Sequence, residues 1–305
     1  MRIGTRRSAL ALAQAELIAD LLGDCEIVPI VTSGDRARDS GGTGPEDKSR
    51  WIRELELALL SGEVDLAVHS AKDVPGELAA GLELLGSPAR AAPEDALVGA
   101  GGIEELEQGA RVGTSSLRRT AQLRAARGDL QPVPIRGNVD TRLRKLADGG
   151  ADLQAIVLAR AGLERLGLGA QVGAVLDTGR FVPAPGQGII ALEGRAGDHT
   201  VREAVHAITD PPAFASLLAE RALAVDLEAS CHTPLGAHAQ PRDSGGLLLR
   251  AWIGLPDGSA WIADELLGEL AAPAQLGRAV AARMRAAGGV ELLRGAEEMA
   301  GVGGG

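Results

Sequence analysis

Apolar residues recur at a helical period over ALALAQAELIADLL (9–22), where Leu10, Ala13, Leu17 and Leu21 fall on one face and Gly23 ends the run. EIVPIVTS (26–33) is short, apolar and rich in β-branched residues and predicts a strand, as does the opening Met1-Arg2-Ile3. Residues 37–50 (ARDSGGTGPEDKSR) lose periodicity and predict a loop. RELELALLSG (53–62) then resumes a helix and VDLAVHS (64–70) forms a short buried strand. Strands alternating with helices of this length predict an α/β fold whose parallel-dominated sheet is covered on both faces.

Two proline-rich breaks, SPARAAPED (87–95) and TGRFVPAPGQG (178–188), bracket a second alternating region. Within it RVGTSSLRR (111–119), PVPIRGNVDTRLRKL (132–146) and LQAIVLARAGLERLGL (153–168) each run from an apolar strand into a helix. The first of them echoes IGTRRSAL (3–10), so two similar lobes joined by hinges are expected. After TDPP (209–212) the pattern changes to a helix ending near Leu227, a hairpin over 247–267 with a Pro-Asp-Gly turn, and terminal helices. That predicts a smaller α+β domain.

A chain of 305 residues can bury two or three cores. An aromatic share of 2%, a net charge of -10 and a pI near 5.1 argue against nucleic acid and anionic membrane surfaces, which need stacking platforms or a dominant positive field. Small anionic ligands stay open, because exposed charges are screened over roughly 8 Å and a local arginine cluster outweighs distant carboxylates. Cys25 and Cys231 are too few for a disulfide framework. Gln14, Glu16 and Asp20 interrupt the only stretch resembling a secretory core, and no apolar run approaches a membrane span. A cytoplasmic protein is expected.

Three times the chain passes from strand through glycine and a hydroxyl or amide into a helix carrying arginine. These are Gly4-Thr5-Arg6-Arg7-Ser8, Gly113-Thr114-Ser115-Ser116-Leu117-Arg118-Arg119, and Arg136-Gly137-Asn138 with Arg142. Ser, Thr and Asn at such starts cap helices; together with unpaired N–H groups and arginine forks they also make anion seats. In parallel sheets such seats collect at the carboxyl ends of strands. HSAKDVP (69–75) puts Lys72 and Asp73 just past a buried strand, where an ionised carboxylate suits an N–H and a developing cation. His69 is expected to be structural. Cys231-His232 with His238 offers too few ligands for a metal, and GQGIIA (186–191) precedes a strand instead of joining strand to helix, so it is no dinucleotide fingerprint.

Taken in order, IGTRRSALALAQ, VTSGD, HSAKDVP, VGTSSLRR, RGNVDTRL, LARAGLERLGL, PAPGQG and LEASCHTPLG resemble the porphobilinogen deaminases, or hydroxymethylbilane synthases, from residue 3 to about 240. The resemblance implies two lobes like those of periplasmic binding proteins, 1–88 with 189–207 and an inserted 89–188, followed by a domain over 209–305 that carries the cysteine. It implies a transferase joining four porphobilinogen molecules head to tail with loss of ammonia, acting as a monomer. Cys231 matches the thioether anchor of a dipyrromethane cofactor, and Asp73 the catalytic carboxylate facing pyrrole N–H groups. Lys72, Ser70, Thr114, Ser115, Ser116, Arg118, Arg119, Arg136 and Asn138 fall with the cofactor-binding set. Arg6, Ser8, Gln14, Arg142, Arg165 and Gln187 fall with the substrate-binding set, and Lys48 and Trp51 with the lid. Two stretches depart from the family: Asp47-Lys48-Ser49-Arg50-Trp51 stands for Gly-Lys-Gly-Leu-Phe, and Ala229-Ser230 for Gly-Gly before the cysteine. The alternatives are a two-lobed carboxylate-binding or sensor protein, which needs neither Cys231 nor Asp73, and a degenerate paralogue.

Overall fold

The computed structural model describes residues 1–31, 49–229, 233–243 and 245–301, with 49–51 by their backbone. The chain divides into two compact units, Met1–Ala91 with Ile189–Phe214, and Ala92–Gly188 with the chain from Ala215 onward. The first unit opens with β1 (Arg2–Arg6), α1 (Ala9–Leu22), β2 (Glu26–Ile30), α2 (Ser49–Leu60), β3 (Leu66–Ser70) and β4 (Leu82–Gly86). The second begins with β5 (Asp95–Val98), β6 (Arg111–Gly113), α3 (Leu117–Ala126), β7 (Gln131–Val133), α4 (Val139–Ala147), β8 (Ala155–Ala159), α5 (Arg160–Arg165) and β9 (Ala174–Leu176). The chain returns to the first unit with β10 (Ile190–Arg195) and α6 (His199–Ile208). It ends with α7 (Pro211–Asp226), β11 (Leu235–Pro241), β12 (Gly246–Gly254), β13 (Trp261–Glu269), α8 (Pro273–Ala286) and α9 (Gly289–Met299).

The two five-stranded sheets share one pairing scheme. In the order β2-β1-β3-β10-β4, β1 is parallel to β2 and β3, while β10 is antiparallel to β3 and β4. In β7-β6-β8-β5-β9, β6 is parallel to β7 and β8, and β5 is antiparallel to β8 and β9. β1 and β6 therefore hold equivalent places, which accounts for the echo between Gly4-Thr5 and Gly113-Thr114. Each unit buries its own aliphatic core. Ile3, Ile18, Leu66, Ile190 and Leu192 pack together in the first, and Leu97, Val112, Leu123 and Val157 in the second. Each such side chain contributes roughly 1.5–3 kcal/mol on burial.

α1 matches its predicted bounds but not its predicted face. Gln14, Ala15 and Ile18 point inward, whereas Leu17 and Leu21 are exposed. Ser8 caps its start and Gly23, at φ 71°, ends it in the left-handed region.

The last three strands form an antiparallel meander, β11-β12-β13, whose inner face packs with α7, α8 and α9 through Leu223, Leu249, Ile253, Val280 and Leu293. This meander lies against α3 within the second unit. Trp252 meets Ala121 and Val182, and the 255–260 turn comes so close that an added methyl at Gly258 would lie 2.6 Å from the backbone of Arg124 and Ala125. No described helix is long and apolar enough to cross a membrane.

Candidate active site

β1 and β3 are parallel neighbours, with Ile3 opposite Leu66 and Gly4 opposite Ala67, so their carboxyl ends lie side by side. Arg6 is the half-buried last residue of β1, and just past it stands Ser8, whose Oγ accepts the Ala11 N–H at 3.4 Å. Just past β3 a single 3-10 turn, Ala71–Asp73, holds Lys72 and Asp73, both half-buried. The Ala71 N–H pins this turn to Ile189 O at 3.0 Å. Gln14 and Ser70 join the two strand ends: the Gln14 amide donates to and accepts from the Ser70 hydroxyl at 3.0 Å each way. The described contacts of Gln14 and Ser70 thus tie α1 to the strand that presents Asp73. Behind them His69 Nε2 and Glu193 Oε2 meet at 2.7 Å, both buried, as a structural pair. Gly4 serves packing, since an added methyl would sit 2.9 Å from Val64 Cγ2.

In the second unit the hydroxyls past β6 are committed to the main chain, with Thr114 buried and Ser115 exposed. Thr114 Oγ1 accepts the Ser116 N–H at 3.2 Å, Ser115 Oγ donates to Ile135 O at 2.7 Å, and Ser116 Oγ caps α3. Arg118 and Arg119 are buried and converge on Asp95 of β5. Arg118 Nη1 donates to Asp95 Oδ2 at 2.8 Å, and Arg119 Nη2 and Nε donate to Oδ1 at 2.7 and 3.0 Å. Gln187 Nε2 donates to the same Oδ1 at 2.9 Å. Burial drives the Asp95 carboxyl upward, but Arg118 and Arg119 outweigh it by charge and hydrogen bonding and hold it well below the usual carboxylate range. Burial also lowers the Arg118 guanidinium, against the pull of Asp95. Two guanidiniums share one carboxylate here, which leaves one surplus positive charge, and the buried Arg118 Nε has no hydrogen-bond partner among the described residues.

Past β7 the chain turns through Gly137 at φ 117°, a left-handed conformation that a side chain would strain, and Asn138 stands at the N-cap of α4. Arg136 and Asn138 are exposed, while Arg142 Nε donates to Gly137 O at 2.7 Å. Arg165 closes α5. Its Nη2 donates to Gly188 O at 2.8 Å, it pairs with no carboxylate among the described residues, and burial lowers it to about 10 despite nearby Glu164.

The described residues therefore gather Arg6, Ser8, Gln14, Ser70, Lys72 and Asp73 at one pair of strand ends in the first unit. Arg118, Arg119 and Gln187 gather around Asp95 in the second. Arg136, Asn138, Arg142 and Arg165 follow β7 and β8, the strands on either side of β6. Lys48 and Cys231 lie outside the described residues, as does the side chain of Trp51. Asp95, Glu193 and Glu220 escaped the sequence analysis, although a lone acid opening the apolar strand DALV or buried in a helix is a visible signal. A dipyrromethane, whose two pyrroles each bear an acetate and a propionate, fits this donor set. Its carboxylates would meet a buried surplus charge, an Arg118 Nε without a partner among the described residues and a guanidinium without an ion-pair partner among them.

Residues 1–203 match the family model described as porphobilinogen deaminase, dipyromethane cofactor binding domain, and residues 214–286 match the porphobilinogen deaminase C-terminal domain. Among curated relatives named porphobilinogen deaminase, that of Sorangium cellulosum is 48% identical and covers 85% of this chain and 88% of its own. Those of Rubrobacter xylanophilus (46% identical, 95% of each chain) and Thiobacillus denitrificans (43%, covering 96% and 97%) extend over nearly the full length. Matches reaching through both the cofactor-binding and C-terminal regions disfavour a non-catalytic carboxylate sensor, and the chain belongs to the porphobilinogen deaminase family.

Proposed function

We propose that this chain joins four porphobilinogen molecules head to tail on a covalently held dipyrromethane primer, losing ammonia at each step and releasing hydroxymethylbilane with water. The observation that carries the assignment of roles is Arg165, a largely buried guanidinium with no carboxylate partner among the described residues. Such a cation is satisfied by an anionic ligand. The acetates and propionates of a growing polypyrrole supply one anion after another, and Arg6, Arg136 and Arg142, near the starts of helices that follow strands, are assigned to them by their place in the fold. Arg118 and Arg119 offer the surplus charge of the Asp95 cluster.

Asp73 is assigned the catalytic role. Ammonia loss leaves an electron-poor pyrrole whose positive charge is greatest near its N–H. An ionised carboxylate on a turn anchored at Ala71 holds that N–H and stabilises the charge as it develops. Lys72, on the same turn, adds a cation for a substrate carboxylate. The primer, when bound, supplies the free α-carbon that attacks the electron-poor ring, and Cys231 is its thioether anchor. Ser8 and Ser116 cap helix starts beside the arginines, and Ser8, Thr114, Ser115, Ser116 and Asn138 are assigned to supplement the arginines at the ligand. A monomer in the cytoplasm, without nucleic-acid or membrane partners, agrees with two cysteines and a net charge of -10.

Intact mass measures the primer directly: the parent protein should carry an adduct of two pyrrole units that Cys231→Ser lacks. An active chain with no adduct overturns the tether. Asp73→Asn should keep the adduct yet turn over porphobilinogen slower by about a hundredfold or more. Parent-like turnover in that variant removes Asp73 from catalysis.

A further inference from the structure

The segment Val182-Pro183-Ala184-Pro185-Gly186-Gln187-Gly188 bonds two of the arginines assigned above, Arg118 and Arg165, and reaches a third, Arg119, through Asp95. Val182 O accepts from Arg118 Nη1 at 2.9 Å and from Gln122 Nε2 at 3.0 Å. Gln187 Nε2 donates to Asp95, the acid that holds Arg119, and to Pro93 O at 2.7 Å. Gly188 O accepts from Arg165 Nη2. Its other side meets the C-terminal meander: Ala237 N–H donates to Pro183 O at 2.8 Å, and an added methyl at Gly236 would lie 2.7 Å from Val182 O. Two prolines and two glycines at φ 74° and 85° give the segment a single well-defined path.

One buried acid fastens this path to the C-terminal region. Glu220 on α7 is 0% exposed, its Oε2 accepts the Gly186 N–H at 2.6 Å, and its Oε1 accepts the Ala239 N–H of β11 at 2.7 Å. Burying a carboxylate is costly unless both oxygens are satisfied, and an amide of the same shape would turn a donor toward one of the two N–H groups. A two-sided acceptor is what the position requires.

We infer that Glu220 is a positioning residue: through the 182–188 segment it registers Arg118, Arg119 and Arg165 against the C-terminal region in whose sequence Cys231 lies. This rests on the carboxylate-binding roles proposed above. Glu220→Gln disturbs the segment from α7. Gly236→Ala disturbs it from β11 without touching any charge. Ile253→Val, deep in the C-terminal core, lowers stability away from the segment. The holoenzymes are compared by thermal midpoint, by intact mass for primer loading, and by KM for porphobilinogen and kcat separately.

Glu220→Gln and Gly236→Ala should each raise KM by about three- to tenfold with kcat changed less than about twofold, while Ile253→Val lowers the thermal midpoint and leaves KM alone. The double variant should raise KM by less than the product of the single effects, because both act on one segment. A lowered midpoint with parent-like KM in both variants makes Glu220 a core residue only and overturns the inference. If Glu220→Gln does not fold, Gly236→Ala decides alone. A parent protein with neither adduct nor turnover overturns the proposed function itself, and this inference with it.

Discussion

Two buried charges in the second unit carry opposite expectations. Arg165 is desolvated with no ion-pair partner among the described residues, and nearby Glu164 only partly offsets the cost, so it is held at some expense in stability. Arg165→Leu should therefore leave unfolding free energy unchanged or raise it by about 1 kcal/mol in urea titration, while KM for porphobilinogen rises. A clear loss of stability would mean that the guanidinium serves the fold. Asp95 is the converse case, because removing its charge leaves two buried guanidiniums together. Asp95→Asn should cost about 3–5 kcal/mol. The sign of its pH dependence follows from its depressed pKa: the stabilisation is complete above the ordinary carboxylate value of 3.8 and is lost as pH falls toward the folded value at the acid extreme. Denaturant midpoints across pH 2 to 5 should thus slope less in Asp95→Asn than in the parent. The sequence shows Arg118, Arg119 and an acid opening the strand DALV, but not the pairing across 23 and 24 positions that turns the two arginines inward.

Strand and helix order, by contrast, was legible, since periodicity marks elements well: α1, β12, β13 and the strand-to-helix steps at 111–119, 132–146 and 153–168 fall where the pattern predicts. What periodicity could not supply was the purpose of the recurring Gly-Thr. Gly4 and Gly113 occupy equivalent strands, and at Gly113 an added methyl would lie 2.8 Å from Ile156 Cγ2, as at Gly4 it lies 2.9 Å from Val64 Cγ2. Both neighbours are branched side chains in filled cores, with little room to yield. Gly4→Ala and Gly113→Ala should each destabilise by about 1–3 kcal/mol with primer loading preserved in the folded fraction, which chemical denaturation and intact mass together would check. Loss of the adduct at unchanged stability would return these glycines to a direct role in anion binding. The face of α1 was misjudged for a related reason: Gln14 faces inward because Ser70 satisfies its amide, a partner 56 residues away that no local pattern announces.

At the scale of the whole chain, sequence pattern separates 209–305 from the inserted lobe because each has its own core, and docking surfaces have no period. Contacts instead group the chain from Ala215 onward with Ala92–Gly188. Trp252 against Ala121 and Val182, Arg124 Nη1 donating to Pro256 O at 3.3 Å, and the Glu220 bonds all hold that grouping. Gly258 is its most sensitive point: at φ 76°, with the backbone of Arg124 and Ala125 2.6 Å from where a methyl would stand, relief requires the turn or the helix to move. Gly258→Ala should therefore loosen the meander from α3 without emptying either core. In the parent, amides of β12 and α3 should exchange with the same opening free energy; in the variant β12 should open more readily than α3. Equal exchange in both proteins would mean that the two parts cohere through their cores and not through this contact. A split would locate the coupling in the surface that joins the meander to the helix bearing Arg118 and Arg119, so a looser turn should also weaken porphobilinogen binding before it affects folding.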